Sequence, residues 1–491
     1  MQTVKVIAKV VHDNSGVFTE VPVLLDENKH VIKPLLDYTL KLKRDGRSPS
    51  SLTKLIKAAQ LLLEYMVSNM ECFATPQSMF ESFSTRLYTG TINDEGIDPS
   101  GLFWLPHSPS VARSHIYLLT QLTDWLAENQ GIEPMNPVVK ADDYTQSLNY
   151  AAWYRKKQHD FLGHIKDQHI NSTVQFSRSI QGKRPLGKKK QAAVEFPEHH
   201  FKAFYFDGLG AALDRRVSLR DQLILLLIHG GGLRESEALH LWLEDVVIDP
   251  LTPNNVKVRI YHPEYGDAPN NWRGQSGKTT RAAYLKEKYA LSPRNDFLGT
   301  KRVGWKSNYT DADGYLEVYW FPAIFGEVFS KLWREYTRFL IGIDRNHPYA
   351  FINFHKDHIG KPYTLNAFHY SYRQGLKRIG LKPCKADGLS AHSHRHSYGR
   401  RLRRAGIHEI IIKKCLHHSS LDSQIVYTAP TAKEVTANLN AATDKLSNIT
   451  DSVENISPPS WEVLTQYGFN DIDPYNLFTG KSSKLGKSYD K

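Results

Sequence analysis

The stretch Ser390-Ala391-His392-Ser393-His394-Arg395-His396-Ser397-Tyr398-Gly399-Arg400 concentrates residue types that handle phosphates and protons. His392 and Arg395 are three residues apart, so they share one face if the stretch is helical. The sequence GRRLRRAGIHEIIIKKCL that follows has a helical pattern and favours a helix here as well. The alternation of His392, His394 and His396 would instead suit a strand, and on that interpretation the three rings could bind a metal.

A second segment, Leu416 to Thr428, ends in a tyrosine. His418 is followed by a polar turn and, nine residues on (427 − 418 = 9), by Tyr427 after two β-branched residues. A phenol is mostly protonated at neutral pH, so it serves as a nucleophile only when a neighbouring group activates it.

Two further segments add cations. Arg234 follows a glycine turn in GGLRESEAL (residues 231–239), at the start of a predicted helix, where its guanidinium can point into a cleft. Glu237 lies three residues on and could hold that arginine in place. Lys278 lies in SGKTTR (276–281), at the tip of a predicted hairpin. This string lacks the first glycine of a phosphate-binding GxxxxGK[ST] loop, because position 272 is Trp272.

Taken together, these segments resemble the tyrosine recombinase (phage integrase) family. The family's order of arginine, hairpin lysine, His-x-x-Arg, histidine and tyrosine is matched by Arg234, Lys278, His392, Arg395, His418 and Tyr427. The flanks GLR-x-SEAL, HxxRHS and LxHSS ending in I-x-YT match too. The resemblance covers about residues 195–430 and extends loosely over 33–180. It departs at His417, where a glycine is usual, and at an insertion near 290–315. Lys257 or Lys286 could replace Lys278 in the match.

The resemblance implies a site-specific recombinase that cleaves and rejoins DNA. Tyr427 would attack the phosphate and form a 3′-phosphotyrosine, while Arg234 and Arg395 bind the non-bridging oxygens. His392 would be the base, Lys278 the acid for the 5′ oxygen, and His418 a phosphate ligand. No cofactor, metal or ATP is implied. Alternatives are a type IB topoisomerase-like enzyme, a DNA-binding accessory protein without catalysis and, more distantly, a metal-dependent nuclease.

The composition fits this interpretation. The 491 residues carry a formal net charge of +12 and a pI near 9.2, which favours nucleic acid or an anionic membrane surface as partner. Three cysteines without a CxxC pair argue against disulfides and a cysteine zinc site, so a reducing cytoplasm is expected. The apolar run Leu223 to Ile228 is too short to span a bilayer. We therefore expect a cytoplasmic protein, associated with the nucleoid through DNA.

The chain is predicted to be multidomain and mainly helical, with a small antiparallel sheet in an α+β catalytic domain. The predicted divisions are N-terminal strands (1–30), a helical core-binding domain (31–180), a basic linker (181–194), the catalytic domain (195–445) and a tail (446–491). Double-stranded DNA would lie between the two larger domains. The resemblance implies a tetramer on DNA in a synaptic complex, with a monomer possible when free. Candidate phosphate contacts are Lys183, Arg184, Lys188, Lys189, Lys190 and Arg400.

Patterns also predict individual elements. The first strands break at 14–16, and a helical hairpin flanks 45–49, with Ser48 or Ser50 as a cap. Loops are expected over 72–108, and helices over about 110–129 and 147–166. VSLRDQLILLLIHGGG (217–232) indicates a buried helix. NNVKVRIYHPEY (254–265) and TTRAAYLKEK (279–288) are expected to be strands. VYWFPAIFGEVFSKLWREYTRFL (318–340) indicates a helix whose aromatic stripe lies in the core.

Overall fold

A computed structural model of the protein describes residues 3–11, 14, 16–158, 174–183, 194–249, 256–307 and 314–418. These residues belong to one compact unit, Met1–Thr428. They form many helices and small antiparallel sheets, as predicted. None of the helices in these ranges combines the length and the hydrophobicity that crossing a bilayer requires.

The first part of the chain is a hairpin followed by helices. Strands β1 (Val4–Val11) and β2 (Phe18–Leu25) pair antiparallel, which confirms the two predicted strands. The predicted helical hairpin is present too, and Ser48 caps its second helix by accepting a hydrogen bond from the Ser51 amide. The helices are α1 (Lys33–Arg44), α2 (Pro49–Ser68), α3 (Pro76–Thr89) and α4 (Pro109–Gln130).

Helix α3 lies in a range for which we predicted loops, and that prediction is wrong. Thr75 caps the helix by accepting a hydrogen bond from the Ser78 amide at 3.1 Å, and Pro76 fits the first turn. Only one side of the helix is apolar, since serine, threonine and glutamine fill much of the rest. The buried side carries Met79, Phe80, Phe83 and Leu87, which pack into a core shared with α2 and α4.

A small sheet follows this core. Strands β3 (Val138–Lys140) and β4 (Phe176–Arg178) pair antiparallel, and Arg178 at the end of β4 donates a 2.9 Å hydrogen bond to Asp124 on α4. Helix α5 (Asp143–Gln158) begins earlier than the predicted 147, and residues 159–166 of that prediction lie outside the described ranges.

A second core lies in the C-terminal part of the described chain, around helix α7. The elements are α6 (Glu198–Ala203), a π-helical turn (Phe204–Leu209), α7 (Arg215–His229), α8 (Glu235–Ala238), β5 (Val246–Ile248), β6 (Val256–Tyr261), α9 (Arg281–Tyr289), β7 (Tyr315–Glu317), α10 (Ile324–Phe339), α11 (Leu365–Arg378), α12 (Ala391–Arg404) and α13 (Glu409–Cys415). Single 3-10 turns are Leu243–Asp245, Pro269–Asn271, Gly299–Lys301 and Lys356–His358. Helix α7 is the predicted buried helix, and α10 and α12 pack against it.

The sheet of this part has the order β5-β6-β7 and is antiparallel. The prediction of a strand over TTRAAYLKEK is wrong, because residues Arg281–Tyr289 form helix α9. Thr280 caps α9 by accepting a hydrogen bond from the Ala283 amide at 3.4 Å, and alanine, leucine, lysine and glutamate are good helix formers. On the side away from β5, β6 pairs with β7, which follows the long connection 262–314.

Helix α10 begins at Ile324, later than the predicted 318. Val318 still belongs to the sheet region, because its amide donates a 2.9 Å hydrogen bond to the Val258 carbonyl. Pro322 cannot lie inside a helix, which explains the late start. The prediction that the aromatic stripe belongs to the core is confirmed, since Phe329, Trp333 and Tyr336 are buried there.

The glycine turn after α7 has no room for side chains. Gly232 has a φ of +70°, and a Cβ atom there would lie 2.4 Å from the ring of Tyr398 on α12. A Cβ atom on Gly231 would lie 2.4 Å from Val318. The turn therefore requires glycine both for its backbone angle and for close packing, and it delivers Arg234 directly beside α12.

Two histidines are buried in the second core. The Nδ1 atoms of His229 and His394 are 3.0 Å apart, and Nε2 of His394 lies 3.0 Å from the Tyr372 hydroxyl. On the other side, Nε2 of His229 lies 3.3 Å from Glu198 and near Arg401. Burial, together with neighbouring charge, lowers the pKa of both rings well below the ordinary value, so both are neutral at pH 7.

This burial predicts a loss of stability in mild acid. The unfolded histidines bind protons as the pH falls below about 6.5, whereas the folded ones do not. The free energy of unfolding should therefore fall between about pH 7 and 5, each such group contributing a slope of up to about 1.4 kcal/mol per pH unit. His394→Gln removes one of these groups, so it should make the slope shallower. Urea unfolding at several pH values measures this, and an unchanged slope would contradict it.

Candidate active site

Arg234 stands at the start of α8, as predicted. Its Nη1 donates a 2.6 Å hydrogen bond to Oε1 of Glu237, and its backbone amide donates one of 2.8 Å to Oε2. The Glu237 side chain is completely buried, while Arg234 keeps part of its surface exposed. The contact that the three-residue spacing predicted is therefore present, and the carboxylate fixes both the backbone and the guanidinium of Arg234.

Arg395 lies on α12 and is completely buried. Its Nη1 donates a 2.7 Å hydrogen bond to the Gly232 carbonyl, and its Nη2 donates to the Leu416 carbonyl. The same Nη1 is 3.7 Å from Oε2 of Glu237. One carboxylate thus lies between two guanidinium groups. Burial raises the pKa of Glu237, but the charges of Arg234 and Arg395 outweigh that effect and lower it to about 2.

His392 stands on α12 one turn before Arg395, with its ring centre 4.6 Å from that of His396. Burial and the Arg395 charge lower the pKa of His392 to about 4, although the residue keeps access to solvent. His418 follows α13 and is buried. Burial and the charges of Arg395 and Arg234 lower its pKa to about 3. Both rings are therefore neutral at pH 7 in the free protein.

His417 replaces the glycine that the family resemblance leads one to expect. It retains the backbone conformation of a glycine, with a φ of 50°. The ring is buried, and its Nε2 lies 2.9 Å from the Glu317 carbonyl on β7. Burial lowers the pKa of His417 to about 4, although the Glu237 charge opposes this shift. The substitution therefore attaches the segment before His418 to the sheet.

The long connection 262–314 contributes two residues that the sequence analysis missed. The hydroxyl of Ser307 donates a 2.6 Å hydrogen bond to Oε1 of Glu237 and accepts one from Nη1 of Arg234. Next to it, Lys306 is exposed, and its charge acts on the His392 ring. The only signal in the sequence was their position in the predicted insertion near 290–315, which does not by itself indicate a role.

Lys278 is exposed and lies in a turn, where the Gly274 amide donates a 2.9 Å hydrogen bond to its carbonyl. Three residues on, Arg281 is buried against Asp245, with which it forms an ion pair. The alternatives lie elsewhere, since Lys257 is 3.6 Å from Asp249 and Lys286 is exposed on α9. The role of Lys278 stays a prediction.

The remaining predicted residues are placed as follows. Tyr427, Arg184, Lys188, Lys189 and Lys190 lie outside the described ranges. Lys183 is exposed, and its amide donates a 3.0 Å hydrogen bond to the Tyr88 hydroxyl. Arg400 is buried, with 3% of its surface exposed, so it offers little surface to a phosphate in the free protein.

The three alternating histidines lie on a helix, and the ring nitrogens of His394 face His229 and Tyr372 inside the core. Among the residues that the structure describes, no group of three or more histidine, cysteine, aspartate or glutamate side chains is arranged to hold a metal ion. The geometry of His394 therefore speaks against the metal-binding interpretation of this stretch.

The chain is similar to a transposase and to solved recombinase and integrase structures. No protein-family model matches the chain. The chain is 23% identical over 409 residues to Transposase A from transposon Tn554 of Staphylococcus aureus, which covers 82% of the chain and 88% of that protein.

Two solved structures are also similar to this chain. The XerH site-specific recombinase bound to palindromic difH substrate is 15% identical and gives a TM-score of 0.42, over 79% of both chains. The Tn1549 transposon integrase in complex with transposon right end DNA is 14% identical and gives a TM-score of 0.34, over 79% of this chain and 99% of that one.

The buried carboxylate predicts a large effect of Glu237→Gln on stability. Arg395 and Arg234 would lose their shared counter-charge, and breaking a buried ion pair from one side costs about 3–5 kcal/mol. Urea unfolding measures the change. Glu235→Gln is the matched control, because Glu235 contacts the half-exposed His369 at 2.9 Å, and such a pair contributes no more than about 1 kcal/mol. Equal losses in the two variants would contradict the prediction.

Proposed function

We propose that this chain is a tyrosine recombinase that acts at specific sites on double-stranded DNA through a 3′-phosphotyrosine formed by Tyr427. The observation that carries the proposal is the arrangement of two guanidinium groups around one buried carboxylate. The three groups leave one net positive charge, since two cations and one anion are combined. A phosphodiester carries one negative charge, so the site matches its proposed substrate in charge.

The arginines would stabilise the transition state. Attack on phosphorus increases the negative charge on the non-bridging oxygens, and preorganised guanidinium donors stabilise that charge without having to reorganise. Glu237, Ser307 and the Gly232 carbonyl hold the two guanidinium groups in advance. Arg234 keeps an exposed part, so it is the arginine that the phosphate would meet first.

The histidines would handle the phenolic proton and the phosphate. In the free protein His392 is neutral because burial and the Arg395 charge lower its pKa, so it is ready to accept the proton of Tyr427. A bound phosphate adds a negative charge nearby, which favours the protonated ring and makes His392 a stronger base. Neutral His418 would donate a hydrogen bond to a non-bridging oxygen. The phosphotyrosine ester conserves the energy of the broken bond, so rejoining would require neither ATP nor a metal ion.

DNA would be held by both parts of the chain. Residues 31–180 would form the core-binding domain, 195–445 the catalytic domain and 181–194 a basic linker that follows phosphates, with Lys183 at its described end. Recombination requires four active sites on two duplexes, so we propose a tetramer on DNA and a monomer as the free form. The similarity to a transposase from Tn554 supports a mobile genetic element as the source of the gene and the cytoplasm as its site of action.

Covalent trapping tests the nucleophile. A DNA duplex nicked just beyond the cleavage site loses its 5′ end on cleavage, so the 3′-phosphotyrosine accumulates and can be seen on a denaturing gel. Tyr427→Phe should abolish this adduct and leave DNA binding within about twofold, because only the phenolic oxygen is removed. The target duplex is first selected from a random library by binding to the protein. An adduct formed by Tyr427→Phe would show that another tyrosine attacks.

Absence of any adduct with folded, DNA-bound wild-type protein would favour a binding-only protein instead. Relaxation of supercoiled DNA by the monomer, without pairing of two sites, would favour a topoisomerase. Loss of adduct formation with a chelator would favour a metal-dependent enzyme.

Arg395→Lys tests the role of the buried guanidinium. A lysine ammonium cannot bind the Gly232 and Leu416 carbonyls and a phosphate with the planar geometry of a guanidinium, so the rate of adduct formation should fall by at least about 100-fold. DNA binding, measured in parallel, should change far less. Arg404→Lys, on the same helix but paired with Glu195 at the surface, is the matched control. A similar small effect of both substitutions on cleavage would contradict this role.

A further inference from the structure

The segment that precedes Ser307 is fixed in the core at both ends. Val303 is completely buried, and its amide donates a 3.0 Å hydrogen bond to the Arg294 carbonyl. Ser307 is held by Glu237 and Arg234. Between them, the indole of Trp305 donates a 2.6 Å hydrogen bond to the Ser307 carbonyl. The backbone of residues 303–307 therefore runs along the edge of the candidate active site.

Lys306 is the exposed residue of this segment, between half-buried Trp305 and buried Ser307. Ser307 contacts Arg234 directly. The backbone of Lys306, the preceding residue, therefore lies beside the candidate active site. Its charge acts on His392 together with those of Arg395 and Arg234. The ammonium group therefore belongs to the electrostatic surroundings of the site, whereas Lys278 lies in an exposed turn just before α9.

The proposed reaction requires a proton donor that has not yet been assigned from the structure. When the phosphorus–oxygen bond to the 5′ carbon breaks, the departing alkoxide is a strong base and needs a proton. His392 and His418 are neutral at pH 7, and His392 is engaged in accepting the phenolic proton. Guanidinium groups are very poor acids, whereas an ammonium group is a stronger one by about two to three pKa units.

We propose that Lys306, rather than Lys278, is the general acid of this recombinase. The inference rests on the proposed function. In the step, the Tyr427 oxygen forms a bond to phosphorus, the bond between phosphorus and the 5′ oxygen breaks, and that oxygen takes a proton from the Lys306 ammonium. The products are the 3′-phosphotyrosine, a 5′ hydroxyl and a neutral amine, while His392 holds the phenolic proton. Rejoining reverses each transfer, with the amine taking back the proton.

A sulfur substitution in the DNA separates proton donation from other roles. If the 5′ bridging oxygen of the scissile phosphate is replaced by sulfur, the leaving group is a thiolate. A thiol has an ordinary pKa near 8.5, so a thiolate departs without a proton donor. Lys306→Ala should lower the rate of adduct formation by about 100-fold or more on the oxygen substrate and come within a few fold of wild type on the sulfur substrate. Lys306→Arg should behave in the same way, because it keeps the charge but is a poor acid.

Lys301→Ala is the matched control, since Lys301 is an exposed lysine on the same connection and should react like wild type on both substrates. Loss of Lys306→Ala activity on both substrates would show a structural or binding role and overturn the proposal. A loss in Lys278→Ala that the sulfur substrate restores, with Lys306→Ala unaffected, would also overturn it and assign the acid to Lys278.

An error in the proposed function and an error in the assignment of Lys306 give different experimental results. If the wild-type protein forms no adduct with either substrate while it binds the DNA, the proposed function itself is wrong. If the wild type forms the adduct and Lys306→Ala matches it on the oxygen substrate, the recombinase mechanism stands and only the assignment of Lys306 is wrong.

Discussion

The carboxylate of Glu237 is the interaction on which the candidate active site depends. It is completely buried, yet its low pKa keeps it charged, because two guanidinium groups face it. It joins the start of α8 to α12, and through Ser307 it also joins the long connection 262–314. A buried charge is tolerated only when it is paired and hydrogen-bonded. The two guanidinium groups are thus held in fixed positions in the free protein.

Close packing places the groups that surround this carboxylate. The glycines after α7 allow the backbone to pass against Tyr398 and Val318, where a Cβ atom would lie 2.4 Å from either side chain. As a result the Gly232 carbonyl can accept a hydrogen bond from Arg395. The buried helix α7 fixes one end of this turn, so the position of the site depends on packing in the core. A packing defect near Gly232 would therefore displace Arg395, which bonds to the Gly232 carbonyl.

Local sequence patterns predicted several helices and one contact of the candidate site, but they did not predict contacts between residues far apart in the sequence. Periodicity located α7 and the aromatic face of α10, and the spacing of Arg234 and Glu237 predicted their contact. Helix α9 was mistaken for a strand because a short polar segment has too few apolar residues to show its period. Ser307 and Lys306 were missed because their proximity to Arg234 and His392 comes from the 53-residue connection 262–314, and no local signal encodes such a contact.

His417 gives the segment before His418 a mechanical property that a glycine would not. A non-glycine residue at a φ of 50° is strained, and the ring offsets part of that strain by bonding to the Glu317 carbonyl on β7. The ring therefore links β7 to the backbone just before His418. Any displacement of His417 must either break this hydrogen bond or pull on β7, so the backbone at this position is mechanically coupled to the sheet.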